Sequence, residues 1–117
     1  MTKFHILIVE DDAFIALGLA TAVEDIGGVV LGPVATVAEA LAVLEKSEVH
    51  KAILDAQLAD RDVTPVAVKL LEQVIPFVVH TGTGLPAELA RVHPELPLVM
   101  KPASPETVVK VLLNSSI

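Results

Sequence analysis

The sequence predicts a parallel α/β domain, a single sheet with helices packed on both faces. Three observations carry this. Short aliphatic runs, rich in β-branched residues, alternate with longer helix-like runs along the whole chain. The first of them, Ile6-Leu7-Ile8-Val9, is apolar at every position, as a strand buried on both faces must be. The chain has 117 residues, 53% of them hydrophobic, which supplies one well-filled core and makes one domain, 1–117, the expectation.

The elements follow in order. The first strand covers about Phe4 to Val9 and runs into Glu10-Asp11-Asp12. Helix one spans about Ala13 to Asp25, with Asp12 before it read as a solvated acid or as its cap, and Gly27-Gly28 placed to end it. Strand two, about Val29 to Val34, is interrupted by Gly32-Pro33, which suits an edge strand. Thr36-Val37-Ala38-Glu39 reads as a capping box that opens helix two, about Val37 to Ser47. Strand three is Lys51 to Leu54, ending in Asp55. After a polar loop, Thr64-Pro65 starts helix three, which runs to about Gln73. Strand four is Phe77 to His80, ending in Thr81-Gly82. Gly and Pro punctuate the next stretch, so helix four is short, about Ala87 to Val92, and is expected to be mobile. Strand five, about Leu98 to Met100, ends in Lys101-Pro102. Ser104-Pro105-Glu106 caps helix five, about Pro105 to Asn114.

Composition excludes several function classes. The absence of Cys removes disulfides, thiolate chemistry and Cys-ligated metal. A net charge of −7 opposes direct nucleic-acid binding, which needs a basic surface. The N-terminal apolar run is too short for a signal peptide, and no stretch approaches the roughly 20 apolar residues of a membrane span. A cytoplasmic protein that acts on another protein or on a small anion is therefore expected.

Polar residues collect where strands end: Glu10 and Asp11, Asp55, Thr81 and Lys101. Ligands of open parallel sheets bind outside those carboxyl ends. If strand one lies beside strand three, Glu10, Asp11 and Asp55 converge, and three carboxylates so close need compensating charge. A hard divalent cation answers this; magnesium takes oxygen ligands and commonly binds one or two carboxylates with a phosphate. Lys101 adds a fixed positive charge and Thr81 a hydroxyl. Such a site suits a phosphoryl group.

The pattern Ile-Leu-Ile-Val-Glu-Asp-Asp, then Ala-Ile-Leu-Asp, His-Thr-Gly and Met-Lys-Pro resembles the receiver domain of two-component response regulators, in order and spacing, over essentially the whole chain. The resemblance implies a flavodoxin-like (βα)5 doubly wound fold with strand order 2-1-3-4-5. It implies that Asp55 accepts a phosphoryl group from a phosphohistidine, that Mg²⁺ is held by Asp11 and Asp55 with help from Glu10 and the backbone carbonyl of Gln57, and that Lys101 pairs with the phosphoryl oxygens. Thr81 would report the phosphoryl group, and the Lys101-Pro102 bond would be cis. The side chains of Gln57 and Thr83 stand where the family tunes dephosphorylation. Implied partners are a sensor histidine kinase or histidine phosphotransferase and a downstream effector protein. Neither nucleic acid nor membrane is expected to bind, and the chain would be a monomer or weak homodimer. The reading is a stand-alone switch with at most self-phosphorylation and autodephosphorylation, not a metabolic enzyme.

Several residues depart from that pattern. Leu98 stands where the family usually has an aromatic, which disfavours a Thr-coupled aromatic rotamer switch. Gly82 replaces a usual Ala and, with Pro76-Phe77, resembles a subgroup of stand-alone receivers. The loop Leu58-Ala59-Asp60-Arg61-Asp62 lacks the usual Pro-Gly turn. Asp60 and Asp62 are read as solvated loop residues or helix caps. His5, His50, His80 and His93 lack metal-ligand spacing, and for His80 a packed or surface role is favoured over modulation of the site. Ile15, Leu19, Ala22 and Val23 make the core stripe of helix one, which leaves Phe14 and Leu17 as candidates for docking the donor's helical bundle. The apolar excess of helix five allows a self-association or effector surface. Competing readings are a receiver-fold interaction module that works without phosphorylation, a haloacid-dehalogenase-type phosphatase, which would want an Asp where Gln57 stands, and a flavin carrier, for which aromatics and a phosphate loop are lacking.

Overall fold

The computed structural model describes residues 3–115. Five strands and five helices alternate: β1 (His5–Val9), α1 (Ala13–Asp25), β2 (Val29–Val34), α2 (Val37–Lys46), β3 (Lys51–Leu54), α3 (Thr64–Glu72), β4 (Phe77–Thr81), α4 (Ala87–Val92), β5 (Leu98–Met100) and α5 (Pro105–Leu113). The strands form one parallel sheet in the order β2-β1-β3-β4-β5. This is the doubly wound flavodoxin-like order expected above, and β2 is indeed an edge strand. The opposite edge is β5, with Pro97 before it and Pro102 after it.

Side chains on the strands alternate between two aliphatic layers, following the period of a pleated strand. Leu7, Val9, Leu54, Phe77 and Val79 pack with residues of α2 and α3. Ile6, Ile8, Ile53, Val78 and Val99 pack under α1 and α5. The buried face of α1 is Ala16, Leu19, Ala22 and Val23; Ile15, expected in that stripe, is only half-buried because Ala16 takes the position over the sheet. Phe14 and Leu17 are exposed, as expected from their position off the stripe.

Capping residues mark the helix ends. Asp12 Oδ1 accepts from Phe14 N (2.9 Å) and Ile15 N (3.1 Å) at α1. At α2 the Thr36 hydroxyl accepts from Glu39 N at 3.1 Å, and Glu39 Oε1 in turn accepts from the Thr36 hydroxyl at 3.0 Å and from Ala35 N at 3.2 Å. The two remaining free amides of that first turn, Val37 N and Ala38 N, donate to the Asp60 carboxylate at 2.9 and 3.2 Å. Asp62 Oδ1 accepts from Thr64 N at 2.9 Å at the start of α3. Asp60 and Asp62 are therefore caps, and Asp60 serves a helix remote from it in sequence.

Helices α1 and α3 end alike. Gly28 N bonds Val23 O and Gly27 N bonds Glu24 O, with Gly27 at φ 82°. Ile75 N bonds Leu70 O and Val74 N bonds Leu71 O, with Val74 at φ 57°. Both are the double-bonded left-handed cap that favours glycine; α3 makes it with a β-branched residue, at a steric cost. Helix α4 has no side-chain cap, and only Leu89 in it is buried.

Candidate phosphoacceptor site

Register places the acids. Val9 pairs with Leu54, so Glu10 and Asp55 leave adjacent strands side by side, and Asp55 N donates to Val9 O at 2.8 Å. Glu10, Asp11 and Asp55 each offer a carboxylate oxygen, and these atoms lie within 4.8 Å of one another. Glu10 and Asp55 are buried, whereas Asp11 is exposed. Glu10 is oriented by Asp12 N, which donates to its Oε2 at 3.1 Å.

Lys101 enters from the end of β5, where its backbone N donates to Thr81 O at 2.8 Å. Its Nζ stands 3.2 Å from Glu10 Oε1 and 3.4 Å from Asp55 Oδ2. One ammonium thus serves two buried carboxylates. Burial opposes the charge of Lys101, but Glu10 and Asp55 outweigh it and hold its pKa above the ordinary value. One cation does not fully compensate the group. Burial first, then a hydrogen bond shared with Asp55, pushes Glu10 up to about 7. The Lys101-Pro102 peptide is cis, as expected, and so is Gly32-Pro33.

The other expected residues lie nearby but outside this group. Thr81 is buried, and its hydroxyl is shared with Thr83 Oγ1 (3.2 Å) and Thr83 N (3.1 Å). Gln57 sits two residues beyond Asp55, in an isolated antiparallel bridge with Asp62, and its side chain is exposed. That loop is ordered by Leu58 N to Arg61 O (3.1 Å) and Val63 N to Ala56 O (2.9 Å), a framework that takes the place of a Pro-Gly turn.

His80 takes the packed role favoured on sequence grounds, but without hydrogen bonds. His80 is buried beside the site, on the α1/α5 side of the sheet, and neither ring nitrogen has a hydrogen-bond partner. Burial, then the charge of Lys101, lowers its pKa against a weaker opposing pull from Asp55, so the ring is held neutral. The sequence signal was only its phase, since it follows Val78 by two residues on an all-buried strand.

Solved structures resemble this arrangement over nearly its whole length. SdrG from Sphingomonas melonis Fr1 is 34% identical with a TM-score of 0.79, covering 97% of this chain and 99% of that one. A CheY-like response regulator receiver domain protein from Methanospirillum hungatei JF-1 is 25% identical with a TM-score of 0.83, covering 97% of this chain and 93% of that one. The chain belongs to the CheY-like response regulator receiver domains. The receiver domain of the response regulator PhyR from Erythrobacter litoralis is likewise similar, at 25% identity, TM-score 0.79 and 97% and 89% coverage. No family model and no curated relative matches the sequence. The receiver fold is that of a signalling switch rather than a classical enzyme, and its acidic group stands at the expected strand ends. Among the described residues, no helix is long and apolar enough to cross a membrane.

Proposed function

We propose that this receiver domain is a single-domain response regulator that takes a phosphoryl group on Asp55 in a Mg²⁺-dependent reaction and relays it, or its consequence, through protein–protein contact. The observation that carries the reading is the group Glu10, Asp11 and Asp55, compensated by a single ammonium. Its hard oxygen donors, one of them pushed up to about 7 by burial and then by its hydrogen bond with Asp55, fit a divalent cation. Asp11, Asp55 and Glu10 would hold that ion, with the backbone carbonyl of Gln57. When bound, it neutralises charge on the phosphoryl oxygens.

The chain's own residues do the rest. An Asp55 oxygen attacks phosphorus in line, the bond from phosphorus to the donor's imidazole nitrogen breaks, and that nitrogen recovers a proton. Lys101 turns from its two carboxylates toward the new phosphoryl oxygens, where a positive charge already in place stabilises the transition state. Thr81 can exchange its bond with Thr83 for one to the phosphoryl group. The donor is a sensor histidine kinase or histidine phosphotransferase, and the site of action is the cytoplasm. Exposed Phe14 and Leu17 on α1 offer the donor an apolar face next to Asp11.

Intact mass after incubation with a small-molecule phosphodonor tests the reading. One phosphoryl adduct is expected on the unaltered chain with Mg²⁺, and none without Mg²⁺ or in Asp55→Asn. No adduct under any condition, a cognate kinase included, would replace it with a phosphorylation-independent interaction module.

A further inference from the structure

The segment that follows Asp55 folds into a small hairpin. Val63 N donates to Ala56 O at 2.9 Å, and Leu58 N donates to Arg61 O at 3.1 Å. Between these two rungs Gln57 stands opposite Asp62 as the pair that makes no bond of its own. The peptide groups of a residue in that position point out of the hairpin. The Gln57 carbonyl accepts no backbone hydrogen bond among the described residues and is open to a ligand.

Asp60 lies at the tip of this hairpin and is exposed. Its Oδ1 accepts from Val37 N at 2.9 Å and its Oδ2 from Ala38 N at 3.2 Å, both in the first turn of α2. Oδ1 also accepts from Arg61 N at 3.1 Å, which holds the carboxylate against its own backbone. These bonds, that from Val37 above all, keep the Asp60 carboxyl below its ordinary pKa. Helix α2 already has a cap of its own in Thr36, so a second one from a remote loop does something a local cap does not. It fastens the hairpin.

That tie closes a circuit around the acids. Asp55 N bonds Val9 O, Glu10 N bonds Val34 O at 2.9 Å, and the chain beyond Val34 enters the helix turn that Asp60 grips. Glu10 and Asp55 are placed by the pairing of β1 with β3. Gln57 lies beyond the strand, and its place depends on the hairpin.

Resting on the Mg²⁺ site proposed above, we propose that Asp60 is a positioning residue: by pinning the hairpin to α2 it holds the Gln57 carbonyl in place to coordinate the cation beside Asp55. Asp60 itself touches neither cation nor phosphoryl group. Such coupling is reciprocal, so a cation on Gln57 steadies the first turn of α2.

Mg²⁺ titration of the isotopically labelled full chain, read by amide NMR shifts and hydrogen exchange, tests this. Saturating Mg²⁺ should slow exchange at Val37 N and Ala38 N more than at Thr107 N in the first turn of α5. Asp60→Ala should bind Mg²⁺ about tenfold more weakly, the lower end of the cost of losing a group that orients a metal ligand. It should also speed exchange at Leu58 N and Val63 N. Asp60→Asn keeps an oxygen for Val37 N without the charge, and should bind Mg²⁺ within about threefold of the parent, since Asn caps as well as Asp. Asp60→Ala binding as tightly as the parent would overturn the proposal and leave Asp60 a helix cap alone. Asp60→Asn as weak as Asp60→Ala would overturn it too, because charge rather than position would be at work. If Asp60→Ala does not fold, exchange in the unaltered chain decides, and no added protection at Val37 N and Ala38 N would refute the coupling. A parent that binds no Mg²⁺ would overturn the proposed function itself and this role with it, whereas the other failures leave that function standing.

Discussion

Removing the charge of Glu10 should change how stability depends on pH, and the sign follows from the site. Glu10 titrates near 4.5 when unfolded and is pushed up to about 7 in the fold, chiefly by burial. Between those values the folded state binds a proton that the unfolded state has lost, so metal-free stability falls as pH rises through the interval. A gap of about 2.5 pH units at about 1.4 kcal/mol each is on the order of 3 kcal/mol. For a domain of this size that corresponds to roughly 10 °C in Tm. His80 works in the opposite direction. Its folded pKa lies below 6.5, so it adds stability as pH rises toward and through 6.5. Lys101, raised from 10.5, stays protonated throughout the window. The difference between the unaltered protein and Glu10→Gln therefore isolates the carboxylate. Thermal melts followed by circular dichroism in EDTA, at intervals from pH 4.5 to 8, should show Glu10→Gln gaining on the parent by roughly 10 °C toward pH 8. Mg²⁺ should raise the parent more at pH 8 than at pH 5. Parallel curves for the two proteins would refute the reasoning, because they would mean that Glu10 carries no buried charge.

Three further outcomes are expected. Val74→Gly should stabilise the fold by about 1 kcal/mol, the steric cost of a left-handed β-branched residue less glycine's unfolded-state entropy, as read from denaturant midpoints; Val74 is 71% exposed, so little packing is lost. Asp60→Ala should free Val37 N and Ala38 N together, lowering Tm and speeding hydrogen exchange at the start of α2; unchanged exchange there would remove Asp60 from its capping role. Phe14→Ala should leave stability within about 0.5 kcal/mol, since the ring is exposed, yet slow phosphoryl transfer from the cognate donor; an unchanged transfer rate would count against α1 as the docking face.

Features written in local sequence were legible before any coordinates. The run Ile6 to Val9 could only be a strand buried on both faces, and the β1, β3, β4 and β5 ends carried their polar residues in plain view. Thr36, Ser104 and Gly27 announced helix ends because a cap bonds amides within three residues of itself, while Asp12 could equally be read as a solvated acid. The strand order came from family resemblance, because periodicity does not say which strand neighbours which. Non-local features were hidden. Asp60 caps a helix that lies 23 residues before it, with no spacing rule to reveal the pairing. Val74 occupies a position where glycine is the usual signal, and only Pro76 behind it hinted at a helix end. His80 was placed on a strand, but its orphaned nitrogens depend on what α1 and α5 bring over them.

The two borders of the sheet bear on how the protein behaves at high concentration. A sheet grows between molecules when an outermost strand offers a row of free amides to a neighbour. Here one border strand carries Gly32-Pro33 within it, and the other is three residues long between Pro97 and Pro102. Proline has no amide hydrogen to offer, so neither border presents an unbroken template. A chain that is 53% hydrophobic would otherwise be a strong candidate for amyloid-like recruitment. These prolines let so aliphatic a protein accumulate without its sheets extending one another, and replacing Pro33 with a β-branched residue is where that protection would first fail.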